Sequence, residues 1–467
     1  MDKRGRLVER RILDVVLDHR KDEPVVLLEG PRTVGKSTAL RTLAHRLGGT
    51  LLDLDDLATR DAVRTDPATM IGGPGLTCID EYQHAPAVLD AIKAELNRSS
   101  RPGQFILTGS ARHESLALAA QALTGRLHRM AIYPLAQSEL EATRPELLSR
   151  LFADPSEARA GSPSATTRED YIARVTQGGF PLALARVPEP ARNRWFDDYL
   201  RLTLERDVRE LSKVRRASAL PALLQRLAGQ TGQVLNVTAA ARDTEMDAHT
   251  ARDYVRLLES VFLVYQLPAW GKTLTNRSAT APKIHVLDSG VAARLLRLTP
   301  DKLTRRDPTS LTELGHLLKT FVVGELLKEA SWMDGIAGLG HWRTYDGVEV
   351  DLVVERDDGA MVAFEVEAAG RVPGDDFRGL RKLRNAVGEA FLAGTVLYTG
   401  ERGYTYENRL YVLQSTGSGR RRSATHHRSA EPEADYIRAA AEGGVAVTLD
   451  EGVAAVNSWI ARIDAAV

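Results

Sequence analysis

The sequence predicts an α/β fold that begins with a parallel sheet, because short apolar runs alternate with helical patterns along the first part of the chain. The strand signals are the runs at 25–28, 51–54, 76–80 and 105–108. A helical segment at 36–47 follows the first run directly. Strands that alternate with helices favour parallel pairing, with helices on both faces of the sheet. Strand signals mixed with helices return between residues 283 and 413, so a second α/β region is expected there.

Composition indicates a soluble globular chain with about two or three domains for its 467 residues. Lys+Arg and Asp+Glu both number 62, so nucleic acid or membrane binding cannot come from a global charge excess. The single cysteine, Cys78, lies in an apolar strand; we expect a buried, inert thiol in a reducing compartment. No run of ~18 apolar residues occurs in the sequence, so we predict a cytoplasmic protein with no membrane partner.

A phosphate-binding loop is predicted between the first strand and the first long helix. Residues 30–37, GPRTVGKS, match GxxxxGK[ST] in the strand–loop–helix context that this motif requires. Glycines let successive backbone N–H groups turn toward one phosphate, and the helix N-terminus adds partial positive charge. Lys36 is expected to reach the β- and γ-phosphates, and the Ser37 hydroxyl to bind Mg²⁺. The predicted nucleotide-binding residues are Gly30, Pro31, Thr33, Val34, Gly35, Lys36, Ser37, Thr38 and Thr108.

Two carboxylates end the strand at 76–80 and complete the predicted P-loop NTPase site. Asp80 is expected to hold Mg²⁺ through water, together with Ser37. Glu81 is the predicted catalytic residue that orients or deprotonates the attacking water. The alternative for Glu81 is a solvated carboxylate with no catalytic role, and both interpretations remain open.

Three further residues are candidates for sensing the terminal phosphate. Thr108 and Ser110 follow the strand at 105–108, and either hydroxyl is a candidate sensor, although Ser110 is equally well suited to cap the next helix. Arg126 is a candidate catalytic residue that would neutralise transition-state charge, in its own subunit or in a neighbouring one. A surface ion pair is the competing interpretation of Arg126. Arg32 lies inside the loop but is assigned no role.

The runs LLEGPRTVGKSTALRTLA, TCIDEYQHAP and FILTGSAR resemble a group of prokaryotic AAA+-type ATPases with a C-terminal domain of unassigned function. The likeness continues through GGFPLAL and WRTYDGVEVDLVVE and spans residues 10–413. The resemblance implies ATP and Mg²⁺ as cofactors and ATP hydrolysis as the activity. It also implies a winged-helix module and a restriction-endonuclease-like last domain.

The predicted domains are an ATPase domain at 1–150, a linker at 151–167, a helical and winged-helix-like region at 168–275, an endonuclease-like domain at 276–414 and a basic tail at 415–467. In the winged-helix-like region, the second helix of the pair is expected at 247–259 and a wing-like strand at 261–267. That helix carries Arg252 and Arg256 but also three acidic residues, so its charges nearly cancel. DNA contact and a purely packing role both remain open.

The last domain carries an altered version of the endonuclease signature. Asp351 and Glu365 match the two metal-binding carboxylates that the resemblance implies, but Glu367 stands where a lysine is expected. Residues two apart on a strand share a face, so we expect three crowded carboxylates with no positive partner apart from a metal ion, and Glu325 as a further acid. The domain is predicted not to cleave. Cleavage with altered geometry and a solvated sheet face remain as alternatives.

These observations predict a Mg²⁺-dependent AAA+-type ATPase whose nucleotide state controls a C-terminal binding domain. A low-turnover, nucleotide-gated regulator that binds DNA or protein is the first alternative, and an ATP-dependent nuclease is the second. ATP is the predicted ligand. DNA and a protein partner are left open, as is the oligomeric state.

Overall fold

A five-stranded parallel sheet forms the N-terminal part of the protein. The computed structural model describes residues 7–109, 121–158, 164–207, 217–271 and 281–415, all within one compact unit. The sheet order is β2-β3-β4-β1-β5, and every neighbouring pair is parallel. Its strands are β1 Val25–Glu29, β2 Thr50–Asp53, β3 Thr77–Asp80, β4 Phe105–Gly109 and β5 Leu127–Ala131. The predicted α/β fold with a parallel sheet is therefore confirmed, with β5 added at one edge.

Helices cover both faces of this sheet because alternate residues of the central strand enter different cores. Val25 and Leu27 of β1 pack into one cluster, and Val26 and Leu28 pack into the other. The strand is fully buried, which explains why its first four residues are all apolar rather than alternating between apolar and polar. The helices of this part are α1 Arg11–His19, α2 Lys36–Leu47, α3 Leu57–Thr65, α4 Pro67–Ile71 and α5 Ala87–Arg98, with a short 3₁₀ turn at Tyr82–His84.

The connection to the middle of the chain is more ordered than a linker. It contains α6 Gln137–Leu140, α7 Leu147–Ala153 and α8 Pro155–Ala158. Leu148, Leu151 and Phe152 of α7 are buried in the core shared with the C-terminal sheet. The linker predicted at 151–167 therefore begins inside a packed helix, and residues 159–163 of it lie outside the described residues.

The middle region is helical and carries a small antiparallel sheet of order β6-β8-β7. The strands are β6 Gln233–Val234, β7 Val264–Leu267 and β8 Lys283–Val286. The helices are α9 Arg168–Gln177, α10 Pro181–Leu184, α11 Glu189–Leu202, α12 Leu220–Ala228, α13 Val237–Asp243 and α14 Ala248–Ser260, with a π-helical turn at Thr203–Asp207 and a 3₁₀ turn at Ala217–Ala219. Because β8 pairs with β7, the domain boundary predicted at residue 275 falls between two paired strands.

The C-terminal part is a mixed six-stranded sheet of order β13-β14-β12-β11-β10-β9. The strands are β9 Ile336–Arg343, β10 Glu349–Arg356, β11 Met361–Glu367, β12 Phe391–Tyr398, β13 Tyr404–Glu407 and β14 Leu410–Gln414. The helices are α15 Ser289–Leu295, α16 Pro300–Leu303, α17 Pro308–Ala330 and α18 Arg378–Val387, with 3₁₀ turns at Gly374–Phe377 and Gly388–Ala390. β9 and β10 form the predicted antiparallel hairpin around Asp346-Gly347.

Two glycines join the parallel sheet to the middle region. The Leu135 N–H donates to the Gly179 carbonyl at 2.8 Å, and the Gly179 N–H donates to the Asp288 carboxylate at 2.7 Å. A Cβ on Gly179 would lie 2.4 Å from the Leu135 carbonyl oxygen, and one on Gly178 would lie 2.1 Å from Asp288 Oδ1. Only glycine permits this approach of three chain segments, which gives a physical reason for the sequence GGFP.

The long helix α17 joins the C-terminal part to the segment that follows β5. Glu325 accepts the Gln137 N–H at 2.7 Å, and Lys328 donates to the Leu135 carbonyl at 3.2 Å. Glu329 accepts the Leu148 N–H at the start of α7, at 2.8 Å. Glu325 therefore belongs to this contact, where it also pairs with Lys328. The expectation that Glu325 joins the carboxylates of the last domain was wrong.

No helix within the described residues is both long enough and apolar enough to cross a membrane.

Replacing Gly179 with alanine should destabilise the protein through a steric clash alone. The added methyl group meets the Leu135 carbonyl, and relieving that contact should cost ~1–3 kcal/mol of unfolding free energy. The measurement is urea unfolding of wild type and Gly179→Ala. The control is Gly315→Ala on α17, where a Cβ meets no atom within 4 Å and where alanine should stabilise by up to ~1 kcal/mol. Equal losses in both variants would contradict the contact.

Glu329 should make stability depend on pH. Burial raises the pKa of Glu329 to about 7, so the folded protein keeps a proton that the unfolded chain releases above about pH 4.5. Stability then falls as pH rises from about 4.5 to about 7. Glu329→Gln keeps an oxygen for the Leu148 N–H but has no charge to bury. The variant should match wild type at low pH and exceed its unfolding free energy by up to ~3 kcal/mol at pH 8.

The comparison for this prediction is Glu329→Ala, which loses the hydrogen-bond acceptor and should be less stable than Glu329→Gln at every pH. Urea unfolding at pH 5 and pH 8 separates the effects. An unchanged pH slope in Glu329→Gln would show that Glu329 is ionised in the folded protein.

Candidate nucleotide-binding site

The loop between β1 and α2 has the curled backbone that a phosphate site needs. Thr33 has a φ of 61° and Gly35 a φ of 100°, so the chain turns sharply twice before α2 begins. A Cβ on Gly30 would lie 2.2 Å from the Ile132 carbonyl oxygen. The first glycine of the motif is therefore required by the close approach of the segment after β5, while Gly35 is required by its left-handed backbone.

Lys36 is folded back into its own loop. Its side chain is buried, and Nζ donates to the carbonyl oxygens of Gly30 and Pro31, each at 3.0 Å. An ammonium held by neutral carbonyls is held by weaker bonds than one paired with a phosphate. The lysine thus lies where a triphosphate would enter the loop.

The Asp80 carboxylate lies beside the start of α2. It is buried at the end of β3, and it accepts hydrogen bonds from the hydroxyls of Thr108 and Ser37. Burial raises the pKa of Asp80, and the two hydroxyls oppose that rise. Because the Ser37 hydroxyl is close enough to Asp80 to lower the pKa of its carboxyl, both residues would be able to help hold one Mg²⁺ ion, which prefers hydroxyl, carboxylate and water oxygens.

Glu81 is positioned by a strained turn and by an amide. Its φ is 51° and it is 8% exposed. The Gln83 Nε2 donates to Glu81 Oε2, and the Glu81 N–H donates to the Thr108 hydroxyl at 3.1 Å. Left-handed backbone at a buried glutamate costs of order 1 kcal/mol and is concentrated at functional sites. Thr108 therefore connects both acidic residues, and Gln83, which the sequence analysis did not single out, fixes the direction of the carboxylate.

The other predicted loop residues divide into two groups. The Pro31 and Val34 side chains are buried, with Val34 in the core beneath the sheet, so they act on a ligand only through their backbone. Thr33 and Thr38 are exposed. Ser110 lies outside the described residues. Cys78 is buried, and burial raises the pKa of its thiol to about 12, as expected for an inert thiol.

Arg126 lies at the amino ends of the parallel strands, whereas the phosphate loop lies at their carboxyl ends. It directly precedes β5, where Leu127 pairs with Val25 at the start of β1, whereas the loop follows Glu29, which pairs with Ala131. Four strand residues separate these edges by roughly 13 Å. Arg126 Nη1 donates to Asn97 at 2.7 Å. Contact with a phosphate in the same subunit is therefore excluded, and the role in a neighbouring subunit stays a prediction.

Arg10 is a residue of the site that the sequence analysis missed. Its guanidinium donates to the Val34 carbonyl at 2.9 Å and to the Tyr133 carbonyl at 2.7 Å, and it pairs with Glu139 at 3.1 Å. The side chain is 11% exposed. Arg10 therefore holds the outer backbone of the loop to the segment after β5. The basic N-terminal run around Arg10 did not indicate that this side chain is buried against the loop, because a solvated helix face has the same composition.

The carboxylates of the last domain have positive partners, which the sequence analysis did not expect. Asp351 on β10 pairs with Lys283 of β8 at 2.7 Å and with Lys319 of α17 at 2.9 Å. Asp351 and Lys283 are both buried. Burial alone would raise the pKa of Asp351, but the two ammonium groups hold it below its usual value. The expectation of crowded carboxylates without a cation was therefore wrong.

Glu365 and Glu367 are on β11, next to this charge cluster. Burial and the Asp351 charge raise the pKa of Glu365 well above its usual value, which disfavours the ionised form of this carboxyl. Burial also raises the pKa of Glu367. The described residues contain no group of three or more His, Cys, Asp or Glu side chains arranged to hold a metal ion. The cluster thus resembles a neutralised ionic core more than a metal site.

Comparison with family models divides the chain in three. Residues 22–141 match a model described as an AAA domain. Residues 168–302 match "Domain of unknown function (DUF8612)", and residues 314–416 match "Domain of unknown function (DUF4143)". The second match ends beyond β8, in agreement with the pairing of β8 and β7.

Similar proteins include "Uncharacterized protein Mb2031c" of Mycobacterium bovis and "Uncharacterized protein Rv2008c" of Mycobacterium tuberculosis. Each is 28% identical over 384 residues, which cover 82% of this chain and 78% of the relative. Among solved structures, the Walker-type ATPase PABY2304 of Pyrococcus abyssi has a TM-score of 0.40 at 16% identity, over 62% of this chain and 96% of that one. AMPPCP-bound DnaA from Aquifex aeolicus has a TM-score of 0.26 at 14% identity, over 55% and 91%. The family match and the loop geometry together support an AAA-type P-loop ATPase domain at residues 22–141.

Proposed function

We propose that this chain is a Mg²⁺-dependent ATPase of the AAA+ type. The observation that carries the proposal is the meeting of Lys36, Ser37 and Asp80 at the carboxyl edge of one parallel sheet. Two separate segments, the start of α2 and the end of β3, supply an ammonium group, a hydroxyl and a carboxylate, as binding of a metal–triphosphate complex requires. Bound Mg²⁺ would supply neutralisation of phosphate charge.

The residues of the chain divide the remaining work. The backbone N–H groups at the start of α2 receive phosphate oxygens, helped by the helix dipole. Lys36 exchanges its loop carbonyls for phosphate oxygens, which are stronger acceptors. Glu81, held by Gln83, orients and deprotonates the attacking water. Thr108 holds both acidic residues in register, so its role is positioning.

We propose that nucleotide state reaches the C-terminal part through the segment after β5. Arg10 bonds the loop carbonyl of Val34 and the segment carbonyl of Tyr133. A few residues later, Gln137 bonds Glu325 of α17. Lys319 lies six residues, or about 9 Å, along the same helix and pairs with Asp351. This chain of contacts supports a C-terminal binding domain controlled by the nucleotide, in a cytoplasmic protein whose one cysteine is buried and free.

The last domain is proposed to bind rather than to cleave. Cleavage needs ionised carboxylates that are free to hold a metal. Here Asp351 is paired with two lysines, and burial raises the pKa of Glu365, which disfavours its ionised form. These charge pairings fit a structural core. The endonuclease-like ancestry of the domain stays a proposal.

DNA contact through α14 has little support from the charges of that helix. Asp253 pairs with Arg256 at 3.2 Å and with His249 at 3.2 Å. His249 and Arg256, two exposed side chains that could contact phosphates, are thus already paired with the same carboxylate. We propose a packing role for the helix pair. The alternative function, a regulator with little ATP turnover, is tested by the turnover measurement below.

Two substitutions separate nucleotide binding from hydrolysis. Lys36→Ala should weaken binding of Mg²⁺–ATP at least ~10-fold, because the phosphates lose their ammonium partner. Glu81→Gln should bind ATP as wild type does and lower turnover ~10²-fold or more, because the amide cannot accept the water proton. Binding is measured by calorimetry and turnover by phosphate release, with and without DNA. Chelation of Mg²⁺ should abolish turnover.

Equal turnover of Glu81→Gln and wild type would remove Glu81 from its role. Turnover below detection in wild type with intact ATP binding would favour the nucleotide-gated regulator.

The wild-type protein should leave supercoiled plasmid intact in Mg²⁺ or Mn²⁺, with or without ATP. The matched variant is Glu365→Gln, which imitates the protonated carboxyl and should keep the fold and stability of wild type. Agarose gels measure the cleavage. Chelator-sensitive cutting that disappears in Glu365→Gln would show that the last domain is an active nuclease.

A further inference from the structure

A cationic cavity of about 340 Å³ lies in the middle region, away from the phosphate loop. Its walls come from α9, α11, α15, the turn leading to α16 and α16 itself. Four cations line it: Arg192, Arg294, Arg297 and Lys302. One carboxylate, that of Glu189, faces them. No residue of the nucleotide site takes part in this lining, so the cavity is a separate feature of the protein.

Arg192 is the unusual member of this lining. The residue is 7% exposed, yet within the described part of the chain its buried Nε has no hydrogen-bond partner. Burial lowers the pKa of Arg192, and the charge of Glu189 only partly offsets this effect. Buried arginines are normally paired with a carboxylate or a phosphate, because an unpaired buried charge is unfavourable. An anion in the cavity would balance this charge through the outer nitrogens of the Arg192 guanidinium, since Arg192 lines the cavity.

The neighbouring cations differ in how far they are already satisfied. Arg294 is held by Asp197 through two bonds of 2.7 and 2.6 Å, so its charge is balanced and its position fixed. Lys302 donates to the Arg297 carbonyl at 2.9 Å, a neutral acceptor. Glu189 accepts a bond of 3.4 Å from Asn193. With Arg294 balanced by Asp197, three cations face one carboxylate, so the cavity has a clear excess of positive charge.

We propose that this cavity binds a small phosphorylated anion, with Arg192 as the central ligand and Arg297 and Lys302 at the rim. A guanidinium offers planar, two-pronged donation to phosphate oxygens, and neighbouring ammonium and guanidinium groups increase affinity for a multiply charged ligand. The volume suits a molecule of pyrophosphate to mononucleotide size. The proposal does not depend on ATP hydrolysis at the phosphate loop.

The test uses the full chain carrying Lys36→Ala, so that the phosphate loop does not capture the probe. Inorganic pyrophosphate is titrated by calorimetry at low and at moderate salt. In this background, Arg192→Met should weaken binding ~10-fold or more, because the partner at the centre is lost. Arg297→Gln should weaken binding by a smaller factor, and so should Lys302→Gln. Affinity should fall as salt increases.

The matched control is Arg201→Gln, also in the Lys36→Ala background. Arg201 is on the same helix as Arg192, is exposed and pairs with Asp198, and its loss should leave pyrophosphate affinity unchanged. If Arg192→Met does not fold, the two rim substitutions decide, since both side chains are exposed.

Three results would overturn the proposal. The first is the absence of pyrophosphate binding by the folded Lys36→Ala protein. The second is equal affinity in Arg192→Met and Arg201→Gln, which would make Arg192 a structural residue. The third is binding of a short single-stranded DNA, dependent on Arg192, without binding of pyrophosphate, which would identify a nucleic acid strand as the ligand.

Discussion

The segment that follows β5, residues 132–139, is the constraint on which the rest of the structure depends. On one side it touches the phosphate loop: the Ile132 carbonyl lies where a Cβ of Gly30 would be, and Arg10 bonds the Tyr133 carbonyl. On the other side Leu135 bonds Gly179 and Lys328. Eight residues therefore contact the nucleotide site, the middle region and α17 at once. Each of these contacts uses a backbone atom of the segment, so the path of its main chain is fixed against all three parts.

A feature of this structure could be predicted from the sequence when the residues that form it lie close together along the chain. The phosphate loop could be predicted from the sequence because curled backbone, helix start, lysine and hydroxyl lie within eight consecutive residues. Asp80 and Glu81 were predicted from their place at the end of an apolar strand that follows the phosphate loop in the sequence, and parallel strands bring such ends together. The same-subunit role of Arg126 was wrong because Arg126 precedes its strand and so lies at the amino end of β5. The motif alone does not show where β5 begins.

Charge pairing between distant segments could not be predicted. Asp351, Lys283 and Lys319 come from β10, β8 and α17, and nothing in the sequence around any one of them indicates the other two. The expectation of unpaired carboxylates was based on the sequence of β11 alone, where Glu367 stands in place of the lysine. The same limit explains why the buried positions of Arg10 and Arg192 could not be predicted from the sequence. Both lie in charged stretches that have the composition of a solvated helix, and only burial distinguishes them.

The two halves of the protein are joined by a helix that carries charges at two levels. Near its middle, Lys319 balances the buried Asp351; nearer its end, Glu325 and Glu329 accept backbone N–H groups from residues 137 and 148. A helix of 23 residues moves as one piece unless it is kinked, so these levels cannot change independently. A displacement of the segment after β5 that broke the Glu325 contact would also strain the Lys319 contact, and leaving Asp351 with one lysine fewer in a buried site is unfavourable. The ionic core of the last domain therefore ties α17 to β10 and β8, and under the proposed nucleotide control a displacement of α17 would carry the C-terminal sheet with it.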